Sequence, residues 1–252
     1  MSRPVVAITG ASRGIGKQMA VDFAANGYDV ACLARSAAGH ETKLPGTVDE
    51  TARLVRDAGG KALALSVDVR SEEQVDAAAE RIYEEFGRCD VLINNAAIAV
   101  PGRTLDLPTK AWRLGVDVNV NGPFYGIMYF APKMLEAGEG RIINVSSMAS
   151  RLPEFGRINY TVTKRALEAM TEGFAHELRG KIAVNCIQLD LMVWSEGFAS
   201  TLGETDKAGF EHPVVMSDAA LWIVAQPISY TGHILTIAEM REAGTVRGVT
   251  QA

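Results

Sequence analysis

The chain has 252 residues, 48% of them hydrophobic and 22% charged, a balance that allows a large buried core and excludes disordered, fibrous and disulfide-stapled classes. Its 25 Lys and Arg against 30 Asp and Glu give a formal charge of −5, with no dense basic tract, so a nucleic-acid partner is not expected. Cys32, Cys89 and Cys186 stand singly without CxxC spacing, which predicts reduced thiols.

Met1-Ser2-Arg3-Pro4 leads straight into the apolar run 5–9, leaving no space for a signal sequence. No apolar stretch approaches the ~20 residues that cross a bilayer. A cytoplasmic protein without a membrane span is therefore expected. After the first strand, Gly10-Ala11-Ser12-Arg13-Gly14-Ile15-Gly16 opens a helix predicted over 15–25, with Ile15, Met19 and Phe23 on one stripe. Glycines there allow a tight turn and close approach of a pyrophosphate to main-chain N–H groups, so the segment reads as a nucleotide cradle. A magnesium-dependent P-loop is excluded, because Ala11 and Gln18 occupy the positions that need Gly and Ser or Thr.

The second strand, 29–34, ends in Leu33-Ala34-Arg35-Ser36 with no carboxylate for a ribose diol, while Arg13 lies in the glycine turn. Both features suit the 2′-phosphate of NADP(H) over NAD(H); the other reading is that Arg13 and Arg35 are solvated surface charges. A long connection over 36–47 precedes a helix over 48–58. A strand over 61–66, a helix over 72–86, a strand over 91–94, a helix over 109–137 and a strand over 140–146 follow. Beyond them come a helix over 157–178 and a strand over 181–187. Tyr160 and Lys164 are spaced i,i+4 in that helix and emerge on one face, a pair that is bland by itself. The aromatic-rich excursion 189–213 reads as a loop suited to a lid, before a helix over 217–225 and a strand over 234–237. Alternating strands and helices predict one α/β domain over 1–252, a doubly wound parallel sheet with helices on both faces.

The turn Thr9-Gly10-Ala11-Ser12-Arg13-Gly14-Ile15-Gly16 matches TGxxxGxG, and with it the chain resembles the short-chain dehydrogenase/reductase family. Matches continue in order. Asp68-Val69 resembles the family's adenine-contacting pair, and Asn94-Asn95-Ala96-Ala97 resembles its NNAG segment with Ala97 for Gly. The resemblance implies a Rossmann-type fold, binding of the dinucleotide along Gly10, Ser12, Arg13, Gly14, Ile15, Gly16, Arg35, Asp68, Val69, Asn95 and Ala96, and a tetrad of Asn119, Ser147, Tyr160 and Lys164. Ser147 lies thirteen residues before Tyr160, and Val118-Asn119-Val120-Asn121-Gly122 matches the VNxxG context. Ser146 and Asn121 are the neighbouring competitors.

In that tetrad Tyr160 is the expected acid/base, its phenol acidified by the Lys164 ammonium and a positive nicotinamide ring. Ser147 would bind the substrate oxygen, Lys164 would also hold the ribose, and Asn119 would anchor a water relay. The implied reaction interconverts a carbonyl and an alcohol on an apolar small molecule, with Leu152, Pro153 and Phe155 as candidate walls. A homodimer or homotetramer through 109–137 and 157–178 is also implied.

The pattern departs in three places. Leu189-Asp190 replaces Pro-Gly, Trp194 stands at the usual Thr with Ser195 as a substitute hydroxyl, and Ala238-Glu239-Met240 replaces Asp-Gly-Gly. The segment Lys43-Leu44-Pro45-Gly46-Thr47 resembles a hydroxysteroid-dehydrogenase-like branch. The alternative function is a dinucleotide-binding sensor or scaffold with little turnover. The histidines form no HExxH pattern, and there is no GxSxG elbow, so a zinc site and an α/β-hydrolase are not expected.

Overall fold

In the computed structural model residues 2–40, 42, 44–196 and 209–247 are described. The elements in chain order are β1 (Val5–Thr9), α1 (Gly14–Ala25), β2 (Asp29–Ala34), α2 (Val48–Asp57), β3 (Ala62–Ser66), α3 (Glu72–Phe86), β4 (Val91–Asn94), α4 (Thr109–Val116), α5 (Gly122–Ala137), β5 (Gly140–Ser147), α6 (Ile158–Glu177), β6 (Ile182–Leu189), α7 (Val214–Val224), β7 (Ile234–Thr236) and α8 (Ile237–Glu242). The seven strands form one sheet in the order β3-β2-β1-β4-β5-β6-β7, every pairing parallel, as in Rossmann-type folds.

Alternation along the strands divides the core into two layers. Val6 and Ile8 of β1 face one side, where Met19 and Phe23 of α1, Val55 of α2 and Met216 and Ile223 of α7 cover them. Val5 and Ala7 face the other, against Ile82 of α3 and Ile127, Phe130 and Met134 of α5. Because both faces are covered, β1 and β2 are buried at every position, which is why they read as unbroken apolar runs. The order of strands reverses between β1 and β4, so a crevice opens beyond Thr9 and Asn94.

Two differences from the sequence expectation have local causes. The helix expected over 109–137 is interrupted by a π turn, Asp117–Asn121. Pro123 lies in the first turn of α5 and has no N–H to give the carbonyl of residue 119, four positions back. A short helix, α8, follows β7 because Thr236 and Glu239 form a reciprocal capping box. The expected lid over 189–213 is only partly described, since 197–208 lie outside the described residues. Its flanks are joined by a parallel bridge between Val193 and Glu211, with Trp194 N donating to Glu211 O at 3.0 Å and Trp194 edge-on to Phe210 at 5.5 Å.

Among the described residues, no helix is long and apolar enough to cross a membrane. All three cysteines are free and buried. Phe23 is fully buried and meets the Tyr28 ring at 4.9 Å. Phe23→Ala should cost about 3–5 kcal/mol in urea unfolding, and a loss below about 1 kcal/mol would contradict this packing.

Candidate active site

The crevice begins where β1 and β4 are sewn together. Thr9 Oγ1 accepts from Asn95 N and Ala96 N, both at 3.0 Å, and Asn95 Nδ2 donates to Thr9 O at 2.8 Å. This bracing presses Gly10 against the 95–96 segment. A Cβ on Gly10, at φ 70°, would lie 2.9 Å from Ala96 Cα, and one on Gly16 would overlap the Gly10 carbonyl oxygen. Arg13 caps α1 without a side-chain hydrogen bond and no acidic residue lies in the first turn, so the helix N-terminus faces the crevice with its N–H groups. A cavity of about 780 Å³ runs from Gly10, Ser12, Gly14, Ile15 and Gly16 past Asp68, Val69, Asn95 and Ala96 to Ser147, Tyr160 and Lys164. The glycine cradle that a Cβ would fill, the open helix end and the volume of this cavity fit a nicotinamide dinucleotide.

At one end of the cavity two arginines approach each other. Arg13 Nη2 donates to Thr42 Oγ1 at 2.8 Å and to Gly46 O at 3.2 Å, so the 36–47 connection folds back onto the glycine turn and orients this guanidinium. Burial lowers the Arg13 pKa, Glu196 opposes that, and the neighbouring charge of Arg35 adds to it. Arg13 Nε is buried without a hydrogen-bond partner. Burial pushes the Asp68 carboxyl up, but hydrogen bonds from Arg70 and the charge of Arg35 hold it below the usual carboxylate range.

At the other end, Ser147 closes β5 and its Oγ accepts from Ala149 N at 3.3 Å. Tyr160 and Lys164 lie one turn apart on α6, as their spacing predicts. Lys164 is almost fully buried, donates from Nζ to Val145 O at 2.7 Å, and lies 5.6 Å from the centre of the Tyr160 ring. Burial lowers its pKa to about 8. The Tyr160 phenol differs from expectation: burial raises it above its ordinary value, while hydrogen bonding with Ser147 and the charge of Arg157 pull it down. Lys164 Nζ turns to the Val145 carbonyl, and in this structure it is Ser147 and Arg157 that oppose the effect of burial on the phenol.

Asn119 lies behind the cavity wall in the π turn, 1% exposed. Its side chain accepts from Ile98 N and donates to Ile98 O, both at 2.8 Å, and donates to Thr163 Oγ1 at 3.0 Å. Both Nδ2 protons are thus used, and Pro123 leaves the main-chain carbonyl of Asn119 without its α-helical donor. The competitors have other work: Asn121 Nδ2 donates to Asp117 Oδ1 at 3.0 Å, and Ser146 Oγ donates to Glu168 at 2.8 Å. Glu168, one turn beyond Lys164, was not singled out by sequence reasoning; its i,i+4 spacing from Lys164 was the available signal.

Of the three expected wall residues only Leu152 lines the cavity. Phe155 is 89% exposed, and the Arg157–Glu154 ion pair at 3.1 Å stands on that rim instead. Asp190, which replaces the usual Gly, accepts from Ile237 N at 3.0 Å and Ala238 N at 3.2 Å, so it tethers the end of β6 to the start of α8. Ser195 lines the cavity, its Cβ 2.7 Å from where a Cβ on Gly14 would sit, and Glu196 pairs with Lys17 at 3.7 Å beside the same turn.

A family model described as short chain dehydrogenase matches residues 4–198. Hydroxysteroid dehydrogenase-like protein 2 is 35% identical over 232 residues in Bos taurus and 34% identical over 232 residues in Homo sapiens, covering 91% of this chain in each case. The chain spans 55% of the length of either relative. A crystal structure of a short chain dehydrogenase from Mycobacterium thermoresistibile superposes with a TM-score of 0.86 at 32% identity, covering 96% of this chain and 87% of that one. A short-chain type dehydrogenase/reductase from Mycobacterium marinum gives 0.82 at 27%, covering 95% of each.

Gly16→Ala should weaken NADPH binding by about 1–3 kcal/mol, roughly 5- to 150-fold, as the added methyl forces the cradle open. Calorimetric titration checks this, and unchanged affinity would contradict the close approach at Gly10.

Proposed function

The chain belongs to the short-chain dehydrogenase family, and from that premise we propose that it is an NADP(H)-dependent oxidoreductase interconverting a carbonyl and an alcohol on an apolar small molecule. Membership brings the oxidoreductase class and a nicotinamide dinucleotide with it; the NADP preference, the tetrad and the substrate class are proposed from the residues of the site. The observation that carries it is that Ser147, Tyr160 and Lys164 converge on the cavity that starts at the glycine turn.

Residues of the glycine turn with Asp68, Val69, Asn95 and Ala96 would hold the dinucleotide, which when bound supplies or accepts the hydride. Tyr160 holds or releases the proton at its hydroxyl. Ser147 Oγ orients the substrate oxygen and steadies the charge that develops on it. Lys164 brings a buried positive charge beneath the Tyr160 ring and ties α6 to β5. Asn119 locks the 98 segment against α6 through Ile98 and Thr163, and its carbonyl is the candidate anchor for a proton-relay water.

Arg13 and Arg35 form a like-charged pair at the cavity end, a natural seat for a phosphate dianion and a poor one for a ribose diol alone. Ile98, Ala99, Pro101, Met148, Leu152 and Met192 give the substrate end an apolar lining. The sensor alternative draws on the altered 189–190 pair, but Asp190 fixes that segment to α8, which supports an ordered site. Exposed Trp112, Phe124 and Met128 on α4 and α5 support self-association as a dimer or tetramer.

Tyr160→Phe should remove NADPH-dependent turnover in a screen of carbonyls while keeping the dissociation constant for NADPH within about threefold; retained turnover contradicts the acid/base role. Arg35→Asp should shift the NADPH/NADH affinity ratio toward NADH by about tenfold or more, one charge-assisted contact being lost and a repulsion gained. An unchanged ratio contradicts the phosphate seat.

A further inference from the structure

Glu168 is a buried carboxylate that the reaction as described does not use. Its side chain is 1% exposed on α6, one turn after Lys164. One oxygen, Oε1, accepts from Ser150 Oγ at 2.6 Å, Gln188 Nε2 at 2.7 Å and Ser146 Oγ at 2.8 Å. Those donors come from the turn after β5, from β6 and from the residue before Ser147. Oε2 meets Arg165 at 3.2 Å, but that arginine is 63% exposed and its charge is screened by water. Burial pushes the Glu168 carboxyl up, yet the hydrogen bonds from Ser150, Gln188 and Ser146 prevail and hold it below the usual range.

A carboxylate so fully supplied with donors has a structural role: it joins the end of β5, the turn after it and β6 to α6. It also has an electrical one. We propose that Glu168 is a positioning residue that clamps the Ser147 end of β5 against α6 and serves as the buried counter-charge for the Lys164 ammonium. The inference rests on the reading of Lys164 as a site residue.

Titratable and charged groups around Lys164 are Tyr160, Arg165 and Glu168 on α6 and Cys186 on β6; β5 and the 148–150 turn present serines, aliphatic side chains and backbone. Arg151 and Glu172 lie with Arg165 around a separate surface cavity. Cys186 also faces the lysine, but burial pushes its thiol up to about 12, so it is neutral at physiological pH. Glu168 is then the standing negative charge. Burial draws the Lys164 pKa down to about 8, and Glu168 opposes that fall, so removing its charge lets the ammonium lose its proton at lower pH.

Trace acetylation with acetic anhydride, read by mass spectrometry of the Lys164 peptide against exposed Lys110 across pH 5.5–10, tests this in the full chain. The wild-type midpoint is expected near 8. In Glu168→Gln it should fall by at least about one pH unit, roughly a tenfold faster acetylation at neutral pH, while Glu168→Asp keeps the charge and the midpoint within about half a unit. An unchanged midpoint in a folded Glu168→Gln overturns the counter-charge. Should that variant not fold, Glu168→Met, which removes the charge with a side chain of similar length, is read in its place with the same outcomes: a fall in the midpoint upholds the counter-charge and an unchanged midpoint overturns it. The labelling reads the ammonium directly, so a chain that binds dinucleotide without turning over a carbonyl leaves this result intact.

Discussion

The hydrogen bond from the Lys164 ammonium to the Val145 carbonyl, 2.7 Å long and buried, is the constraint from which the site's geometry follows. A lysine deprived of water costs several kcal/mol unless its charge is met, and a carbonyl two residues before the end of β5 meets part of it. That bond fixes the rotation of α6 about its own axis. Tyr160, one turn earlier, is thereby set against Ser147, and Glu168, one turn later, is set beneath Ser146 and Ser150. Two residues of one helix stripe are thus bonded to β5, Lys164 through Val145 and Glu168 through Ser146.

The departures from the family pattern turn out to be coupled. Asp190 stands where a glycine was expected and Ala238-Glu239-Met240 where Asp-Gly-Gly was expected; in the fold the first side chain accepts the N–H groups of residues 237 and 238. Glu239 completes the capping box with Thr236. Carboxylates at positions 190 and 239 together satisfy the N-terminus of α8, so the sequence exchanges the flexibility of glycines for a side-chain tether. Two oddities far apart in the chain are one structural solution.

What was legible in the sequence was local. Apolar runs without alternation announced strands buried on both faces, and the glycine spacing announced a turn that backbone groups approach closely, because each signal lies within a few residues. Spacing also placed Tyr160 and Lys164 on one face, and family context preferred Ser147 to Ser146. In the fold both serines line the cavity, and the Ser146 hydroxyl donates to Glu168. The role of Glu168 was not legible, because its partners lie 18 to 22 residues away on other elements. Nor was the π turn, although Pro123 marks the missing donor, or the raised phenol, which follows from burial that no motif records.

The central claim is that Tyr160 exchanges its proton with the substrate and that the environment which now holds the phenol protonated is offset when a positive nicotinamide ring joins it. The most direct measurement is a spectrophotometric titration of the Tyr160 phenol, taken as the difference between the wild type and Tyr160→Phe, with and without saturating NADP+. The account predicts a phenol that ionises above its ordinary value of 10.0 in the free protein and at clearly lower pH in the complex. An ionisation that does not move when the oxidised dinucleotide binds would contradict it.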